Sequence, residues 1–198
     1  MTKICTYQFE EYLRFVESFH GAVAPGVAAG GFMVDLAMSR MPEGTLFDAI
    51  CETTACLPDA IQLLTPCTVG NGWLKIFNFG RFALSLYDKY KGEGVRVFLD
   101  PVKLEAWPEI KAWLFKLKPK SEQDKEVLIS QIEQAGHSVC GLQPVRVKAQ
   151  YLEKKSRGRI TTCTVCHEPY PARDGVVCRA CQGQAPYISF TPSGQYCD

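Results

Sequence analysis

Two Cys-x-x-Cys pairs near the end of the chain constrain its folding more than any other feature of the sequence. The first pair is Cys163 and Cys166, and the second is Cys178 and Cys181. Only eleven residues, 167–177, separate the pairs, which is too few to bury a hydrophobic core of their own. A tetrahedral Zn²⁺ ion binds four such thiolates at about 2.3 Å and would supply the folding free energy instead. The spacing therefore predicts a structural four-cysteine zinc site in a small zinc-ribbon-like module.

Iron is the alternative metal for four cysteines, as in a rubredoxin-like site. The sequence has no Cys-Pro-x-Cys-Gly loop of the kind that such a site uses, and this favours zinc. His167 directly follows Cys166 and could replace one thiolate, although the four-thiolate set is complete without it. Four protein ligands leave no open coordination position, which indicates a structural rather than a catalytic ion.

A basic segment, residues 154–159, precedes the paired cysteines. A zinc module with such a segment could act as an adaptor that binds protein or nucleic acid. The whole chain carries 22 Lys and Arg against 21 Asp and Glu, a net charge of +1. Dedicated nucleic-acid binders usually show a strong basic excess. We therefore expect a solvated linker here and no nucleic-acid partner.

The redox compartment decides whether paired cysteines form disulfides or bind metal. Residues 1–17 contain no continuous apolar stretch, because Glu10, Glu11 and Glu17 interrupt it. The least polar stretch, residues 21–38, falls short of the roughly 20 apolar residues that a membrane span needs. We expect a cytoplasmic protein with no membrane segment, in which thiols stay reduced and favour metal.

The first 150 residues combine helical and extended patterns, which predicts an α+β fold with an antiparallel sheet and packed helices. The second helix is rich in Gly and Ala and is expected to be buried. Predicted helices cover residues 7–18, 25–41, 58–64 and 121–135, with another after Asp100-Pro101 that Pro108 interrupts. Predicted strands cover residues 45–52, 73–79, 82–87, 95–99 and 138–149, of which the second and third form a hairpin. The predicted domains are residues 1–150 and a linker with zinc module, residues 151–198.

A second group of potential ligands surrounds the short helix predicted near residue 60. Cys56 and Cys67 flank this helix, and Asp59 lies in its first turn. A thiol at a helix N-terminus has a lowered pKa, which makes Cys56 a candidate ligand or nucleophile. His20 precedes another predicted helix N-terminus. These four residues are the candidate ligand-binding residues of the first domain.

At these residues the chain resembles the E-subunit family of formylmethanofuran dehydrogenase. The resemblance spans roughly residues 10–100, and many members of the family also end in a four-cysteine knuckle. The motifs are specific as a set, although each alone is weak. The matching segments are Phe19-His20-Gly21, Pro25-Gly26, Glu52-Thr53, Cys56, Asp59-Ala60-Ile61-Gln62, Cys67-Thr68, Gly70, Phe79-Gly80-Arg81 and Val95-Arg96-Val97.

The resemblance implies an accessory protein that supports a molybdenum- or tungsten-dependent dehydrogenase. In that family the redox chemistry is assigned to larger subunits, which carry a pterin cofactor and iron–sulfur clusters. Nothing in this sequence resembles a pterin site or a multi-cluster ferredoxin motif. The resemblance also implies a homodimer.

One segment departs from the family pattern His-Gly-His-x-Cys-Pro-Gly. Ala22 stands at the second histidine and Ala24 at the cysteine, so two potential ligands are missing. A three-ligand site of His20, Cys56 and Cys67 with a water would still bind zinc and leave an open position. Such a depleted site could equally be a relic.

Simpler interpretations stand beside each of these hypotheses. His20 could be a hydrogen-bonded residue at a helix end, and Cys56 and Cys67 could be buried apolar side chains. Trp107 and Trp113 are expected in the core or at a dimer interface. An enzyme with a cysteine nucleophile or an open metal site is the alternative function. No sequence pattern assigns a function to the remaining cysteines, which we expect to pack in the core or to be exposed to solvent. They are Cys5, Cys51, Cys140 and Cys197.

Overall fold

The computed structural model describes residues 2–153, 156 and 158–188. The chain forms two compact units, Met1–Leu152 and Glu153–Asp198. The basic segment 154–159 is described only in part, and Cys197 lies outside the described residues. A division close to residue 150 leaves both Cys-x-x-Cys pairs in the second unit.

The first unit is a mixed α/β domain, as the sequence predicted. Its helices are Phe9–His20 (α1), Pro25–Met38 (α2), Leu57–Leu64 (α3), Pro108–Leu114 (α4) and Lys125–Ala135 (α5). Its strands are Lys3–Ile4 (β1), Tyr7–Gln8 (β2), Phe47–Cys51 (β3), Leu74–Ile76 (β4), Ala83–Asp88 (β5), Glu93–Leu99 (β6) and Cys140–Arg146 (β7). Helix α2 packs against β5 and β6, and α3 packs against β3 and β4.

The main sheet has five strands in the order β4-β3-β5-β6-β7. Three of its pairings are antiparallel, but β4 lies parallel to β3, with Ala49 opposite Leu74. The expectation of an antiparallel sheet is therefore correct for four strands and wrong for the edge strand β4. The parallel pairing arises because the chain leaves β3, crosses through α3 and returns in the same direction, as in other strand–helix–strand units.

The predicted hairpin of residues 73–79 and 82–87 is also wrong. Strand β3 lies between β4 and β5 and bonds to both, so these two strands never pair with each other. The turn at Gly80 instead carries the chain across the end of β3. There the backbone N–H groups of Phe79 and Arg81 donate to the carbonyl oxygen of Glu52. This crossing places Glu52 and Arg81 side by side.

Helix α2 forms the centre of the first unit. Ten of its fourteen residues are buried, which confirms the expectation for a helix of small side chains. Pro25 begins the helix, where its missing N–H costs no hydrogen bond, and the helix ends at Met38 rather than at residue 41. Helix α2 is more apolar than α1, α3 and α5. Even so, none of the helices in the described residues is long and apolar enough to cross a bilayer.

Glycine lets α2 approach its neighbours closely. A Cβ added at Gly30 would lie 2.7 Å from the Cβ of Ala60 on α3. One added at Gly31 would lie 2.6 Å from the ring of Tyr12 on α1. Both distances are too short for real carbon atoms, so only glycine permits this packing of α1 and α3 on α2. The hydroxyl of Tyr12 also donates to the carbonyl oxygen of Val27, at 2.9 Å.

Two helix starts differ in detail from the sequence prediction. Pro108 begins α4 instead of interrupting a helix, in the first-turn position that proline tolerates. Helix α5 begins after Asp124, whose carboxylate accepts hydrogen bonds from the backbone N–H groups of Glu126 and Val127. The predicted start at Ser121 is therefore four residues early, because the aspartate and not the serine caps the helix.

The second unit is small and has little regular structure. Strands Ile160–Thr162 (β8) and Pro169–Pro171 (β9) form an antiparallel hairpin. Two short helical turns, Ala172–Asp174 and Ala180–Gln184, follow. Cys163 and Tyr170 are its buried hydrophobic residues among those described. So few buried side chains cannot stabilise the unit without a further contribution.

The packing of α2 predicts that Gly30→Ala destabilises the protein, although alanine is the better helix former. We expect a loss of about 1–3 kcal/mol in the free energy of unfolding, because α3 must move away from the new methyl group. Urea denaturation followed by circular dichroism measures this loss.

Gly70→Ala is the matched control, since a Cβ at Gly70 meets only the Thr68 hydroxyl at 3.9 Å. We expect this variant to stay within about 0.5 kcal/mol of the wild type. Equal stabilities of the two variants would contradict the close packing of α2 and α3.

Candidate functional site: a four-thiol zinc centre and a cationic groove

The four paired cysteines converge in the second unit, as the sequence predicted. The first pair, Cys163 and Cys166, lies in the turn between β8 and β9. The second pair, Cys178 and Cys181, lies at the start of the last helical turn. All four sulfur atoms lie within 4.8 Å of one another, and no other cluster of three or more potential metal ligands occurs in the described part of the chain.

The geometry of the sulfur atoms fits a tetrahedral zinc ion. The Sγ atoms of Cys166 and Cys178 are 3.7 Å apart. Four sulfurs at about 2.3 Å from one zinc ion would lie about 3.8 Å from each other, so this pair already has the spacing that a tetrahedral zinc ion requires. His167 is not part of the cluster. When bound, zinc would saturate its coordination with the four thiolates and serve as the core of the unit.

Backbone groups already favour thiolates at this centre. The N–H of Cys178 points at the sulfur of Cys163, at 3.4 Å. Hydrogen bonds from the backbone of Cys166 and Cys178 lower the pKa of Cys163 to about 6. Contact with the neighbouring sulfur of Cys178 instead raises the pKa of Cys181 to about 12. The positive charge of a zinc ion among the sulfurs would offset the repulsion between neighbouring thiolates.

In the first unit the structure brings His20 and Asp59 together. His20 is the last residue of α1, Asp59 lies in the first turn of α3, and the Nδ1 and Oδ2 atoms are 2.5 Å apart. Each side chain is 29% exposed. The helix dipoles favour a histidine at a C-terminus and an aspartate at an N-terminus, so the pair links the two helix ends. This arrangement is the hydrogen-bonded helix-end histidine that the sequence left as an alternative.

Cys56 directly precedes α3 in a strained backbone conformation. Its φ and ψ angles are 55° and −49°, and the N–H of Leu57 donates to the carbonyl oxygen of Ala55 at 2.5 Å. These features define a γ-turn of the positive-φ type, whose ideal angles are about +75° and −65°, a rare and strained geometry. Non-glycine residues keep such a conformation only where the surrounding structure holds them in it.

The close packing of α2 provides that restraint. A Cβ added at Gly26 would lie 2.7 Å from the Cβ and 3.0 Å from the sulfur of Cys56. Burial raises the pKa of Cys56, and the nearby charge of Asp59 raises it further. The expectation of a lowered pKa at this helix N-terminus is therefore wrong, because burial and the aspartate outweigh the helix dipole.

Cys67 lies elsewhere, on the side of α3 that faces β3. It is fully buried, and its thiol donates to the carbonyl oxygen of Phe47 at 3.6 Å. Burial raises its pKa to about 11. Within the described residues, His20, Cys56 and Cys67 do not bring their ligand atoms to a common point. The described structure therefore does not form the predicted three-ligand site.

A buried carboxylate with two arginines forms a further feature of the first unit, which no local sequence pattern indicates as a site. Arg96 on β6 donates to Glu52 through two nitrogens, at 2.6 and 2.8 Å. Arg81 lies 2.7 Å from the same carboxylate. These hydrogen bonds, chiefly those from Arg96, hold the pKa of Glu52 below its usual range. All three residues belong to matched family segments, which was the only signal in the sequence.

This ion-pair cluster lies beside a groove of about 770 Å³ in the first unit. Cys56 and Thr53 line one side, and Trp113 and Lys116 of the α4 region line another. Trp113 is half-buried, so it belongs to the edge of this groove as well as to the core. The groove therefore joins one predicted site residue, Cys56, to arginines and aromatic rings that had no assigned role.

The fold and the four-thiol centre together define the class: an α/β domain followed by a small zinc-finger module. Residues 19–148 match the family described as FmdE, molybdenum formylmethanofuran dehydrogenase operon. Residues 154–188 match the FmdE treble clef zinc finger. The chain belongs to the FmdE family. Its second unit is a treble clef zinc finger, which corrects the expected zinc ribbon.

Two known proteins are similar to this chain. A crystal structure of a tungsten formylmethanofuran dehydrogenase FmdE-like protein from Syntrophus aciditrophicus has a TM-score of 0.88 and 54% sequence identity, covering 94% of this chain and 98% of that one. A curated protein of Archaeoglobus fulgidus, named probable S-adenosyl-L-methionine-binding protein, is 28% identical in an alignment of 188 positions that covers 84% of this chain. The chain spans about half (51%) of the length of that curated relative.

The four-thiol centre predicts that Cys166→Ser abolishes stoichiometric zinc binding. The purified wild type should contain one zinc per chain, and the variant close to none, because three thiolates and a hydroxyl bind zinc far more weakly. Plasma emission spectrometry measures the metal, and limited proteolysis shows whether cleavage is confined to residues 153–198.

Cys56→Ser is the control, because it removes a thiol of the first unit. It should keep one zinc per chain. Zinc loss in the control, or zinc retention in Cys166→Ser, would contradict the assignment of the four ligands.

Proposed function

We propose that this protein is a metal-binding accessory protein of a molybdenum- or tungsten-dependent dehydrogenase of the formylmethanofuran type. The observation that carries the proposal is the 54% identity to the tungsten formylmethanofuran dehydrogenase FmdE-like protein, over 94% of this chain. The family description, which names the molybdenum formylmethanofuran dehydrogenase operon, agrees with it. The zinc in the treble clef then has a structural role.

The chemistry of the thiols supports an accessory role over a cysteine-dependent enzyme. Burial raises the pKa of Cys67 and of Cys51 to about 11. Burial and Asp59 also raise the pKa of Cys56. A thiol with a raised pKa is protonated near neutral pH and is a poor nucleophile. The alternative enzyme with an activated cysteine is therefore less favoured.

A second site in the first unit is part of the proposal, as a ligand site rather than a metal site. Cys56 precedes α3, whereas Cys67 follows it and is buried against Phe47, and His20 is already bonded to Asp59. The groove beside Cys56 has space and polar side chains for a small molecule, whereas a zinc ion held by four thiolates has no open position. A small molecule therefore fits this unit better than a second zinc ion.

The curated relative's name offers S-adenosyl-L-methionine as one such molecule. That ligand carries a positive sulfonium group, whereas the groove is lined by Arg81, Arg96 and Lys116. Glu52 forms ion pairs with Arg81 and Arg96, and among the described residues no acidic side chain lines the groove itself. Like charges repel the sulfonium, so this ligand is not the one that the groove favours.

The accessory role predicts a complex with the dehydrogenase. Tagged chain, purified from the cytosolic fraction of its source cells, should bring down subunits that contain a pterin cofactor, identified by mass spectrometry. Plasma mass spectrometry of the eluate should find molybdenum or tungsten besides zinc. Light scattering on the free chain should give twice its 22.1 kDa, because we also propose a homodimer.

Eluate from untagged cells is the control for metal and for bound subunits. Zinc without molybdenum or tungsten, and no dehydrogenase subunit, would contradict the accessory role. A mass of one chain would contradict the homodimer, and recovery outside the cytosolic fraction would contradict the cytoplasmic location.

A further inference from the structure

We propose that the groove beside Cys56 binds a planar heteroaromatic molecule that carries a phosphate group. The groove contains about 770 Å³ and is lined by residues of the β3–α3 loop, the Gly80–Ala83 segment, the end of β6 and α4. Its volume lies within the range of about 300–1,000 Å³ that small-molecule sites occupy. This inference rests on the ligand site proposed above and specifies its ligand class, but it does not depend on association with the dehydrogenase.

Aromatic side chains form the apolar part of the groove. The rings of Phe82 and Trp113 meet edge to face, with centroids 5.7 Å apart. Phe98 lies beneath the guanidinium of Arg96, at 5.0 Å from its centroid. Such rings offer flat surfaces against which a planar heterocycle can pack, and an edge-to-face or offset contact adds to the gain from burial. The lining therefore favours a ring over a flexible chain.

Positive charge forms the polar part. Arg81, Arg96 and Lys116 line the groove, and Glu52 compensates only one of their three charges. The side chain of Arg81 is 60% exposed, whereas Arg96 is 14% exposed. Arg81 can therefore donate to a ligand, and Arg96 holds the carboxylate that positions it. Two uncompensated positive charges match the charge of a phosphate dianion.

Backbone strain marks the same groove independently. In the described part of the chain, the non-glycine residues with positive φ are Cys5, Cys56, Lys116 and His167. Cys56 and Lys116 both line the groove, with φ angles of 55° and 53°. The positive φ of Lys116 belongs to the ordinary left-handed ending of α4, in which the N–H of Leu117 donates to the carbonyl oxygen of Ala112 at 2.9 Å. The γ-turn at Cys56 has no such explanation, and strained residues of this kind concentrate at ligand clamps and active sites. The turn at Cys56 therefore indicates that this side of the groove is preorganised.

Further lysine side chains lie next to the groove, on the side of α4. A neighbouring depression of about 550 Å³ shares Trp113 and Lys116 with the groove. Lys118 and Lys120 line this depression. Lys118 is paired with Glu109 at 2.8 Å, but Lys120 lies near enough to Cys56 to lower its pKa in opposition to Asp59. The phosphate end of the ligand is therefore expected on the α4 side.

Isothermal titration calorimetry on the full-length, zinc-loaded protein tests this with three probes. Adenosine 5′-monophosphate carries both ring and phosphate, adenosine has the ring alone, and ribose 5-phosphate has the phosphate alone. We expect adenosine 5′-monophosphate to bind with a Kd below about 1 mM. Adenosine and ribose 5-phosphate should each bind at least about tenfold more weakly, because the first lacks the phosphate and the second lacks the aromatic ring.

Substitution of the groove arginine locates the binding. Arg81→Gln should weaken the binding of adenosine 5′-monophosphate about tenfold and leave the binding of adenosine unchanged. The substitution removes a charge-assisted hydrogen bond to the phosphate but keeps the aromatic rings of the groove. Arg146→Gln is the matched control, since Arg146 lies on β7, is exposed and does not line the groove. It should bind all three probes as the wild type does. Thermal unfolding and zinc content confirm that both variants are folded.

Three results would overturn the proposal. They are the absence of saturable binding of adenosine 5′-monophosphate, equal binding of this nucleotide and adenosine, and equal effects of the two arginine substitutions. None of these results bears on the complex with the dehydrogenase, which is measured by copurification. The two proposals can therefore fail separately.

Discussion

The close contact of α2 with the elements around it is the constraint on which the first unit depends. Three glycines allow it: Gly26 faces Cys56, Gly30 faces Ala60, and Gly31 faces Tyr12, each within 2.7 Å of an added Cβ. A methyl group at any of them would displace a neighbouring element. Because α1 and α3 are held at this distance, the histidine that ends one helix meets the aspartate in the first turn of the other. The same contact holds the strained turn before α3 against the groove.

Different interactions stabilise the two units. The first has a continuous hydrophobic core, to which a buried ion pair between Glu52 and Arg96 adds specificity more than net stability. The second has almost no core, and four sulfur atoms converge where a core would be. Its folding therefore depends on a metal ion, whereas the site in the first unit depends on packing. Changes of metal supply should act on the treble clef and leave the groove intact.

The sequence predicted features that are local in the chain. The Cys-x-x-Cys spacing predicted the four-thiol centre, and the spacing of apolar residues predicted α1. Pro25 at an early helical position predicted the start of α2, and Asp59 in a first turn favoured α3. All of these signals are readable within a short window. The sequence did not predict that β3 lies between β4 and β5, since strand order depends on contacts far apart in sequence. For the same reason the grouping of Glu52, Arg81 and Arg96 was not foreseen. The pKa of Cys56 depends on burial, which no local pattern reports.

The packing of α2 holds the turn at Cys56 and, through it, one side of the groove. A crystal structure of the Gly26→Ala variant tests this most directly, because the new methyl group would lie 2.7 Å from the Cβ of Cys56 and 3.4 Å from the ring of Trp113. We predict that the γ-turn shifts and that the ring of Trp113 moves into the groove, while the contact of Gly30 with α3 and the four-thiol centre stay as they are. A variant structure in which Cys56 keeps a φ angle near 55° and Trp113 does not move would contradict the account.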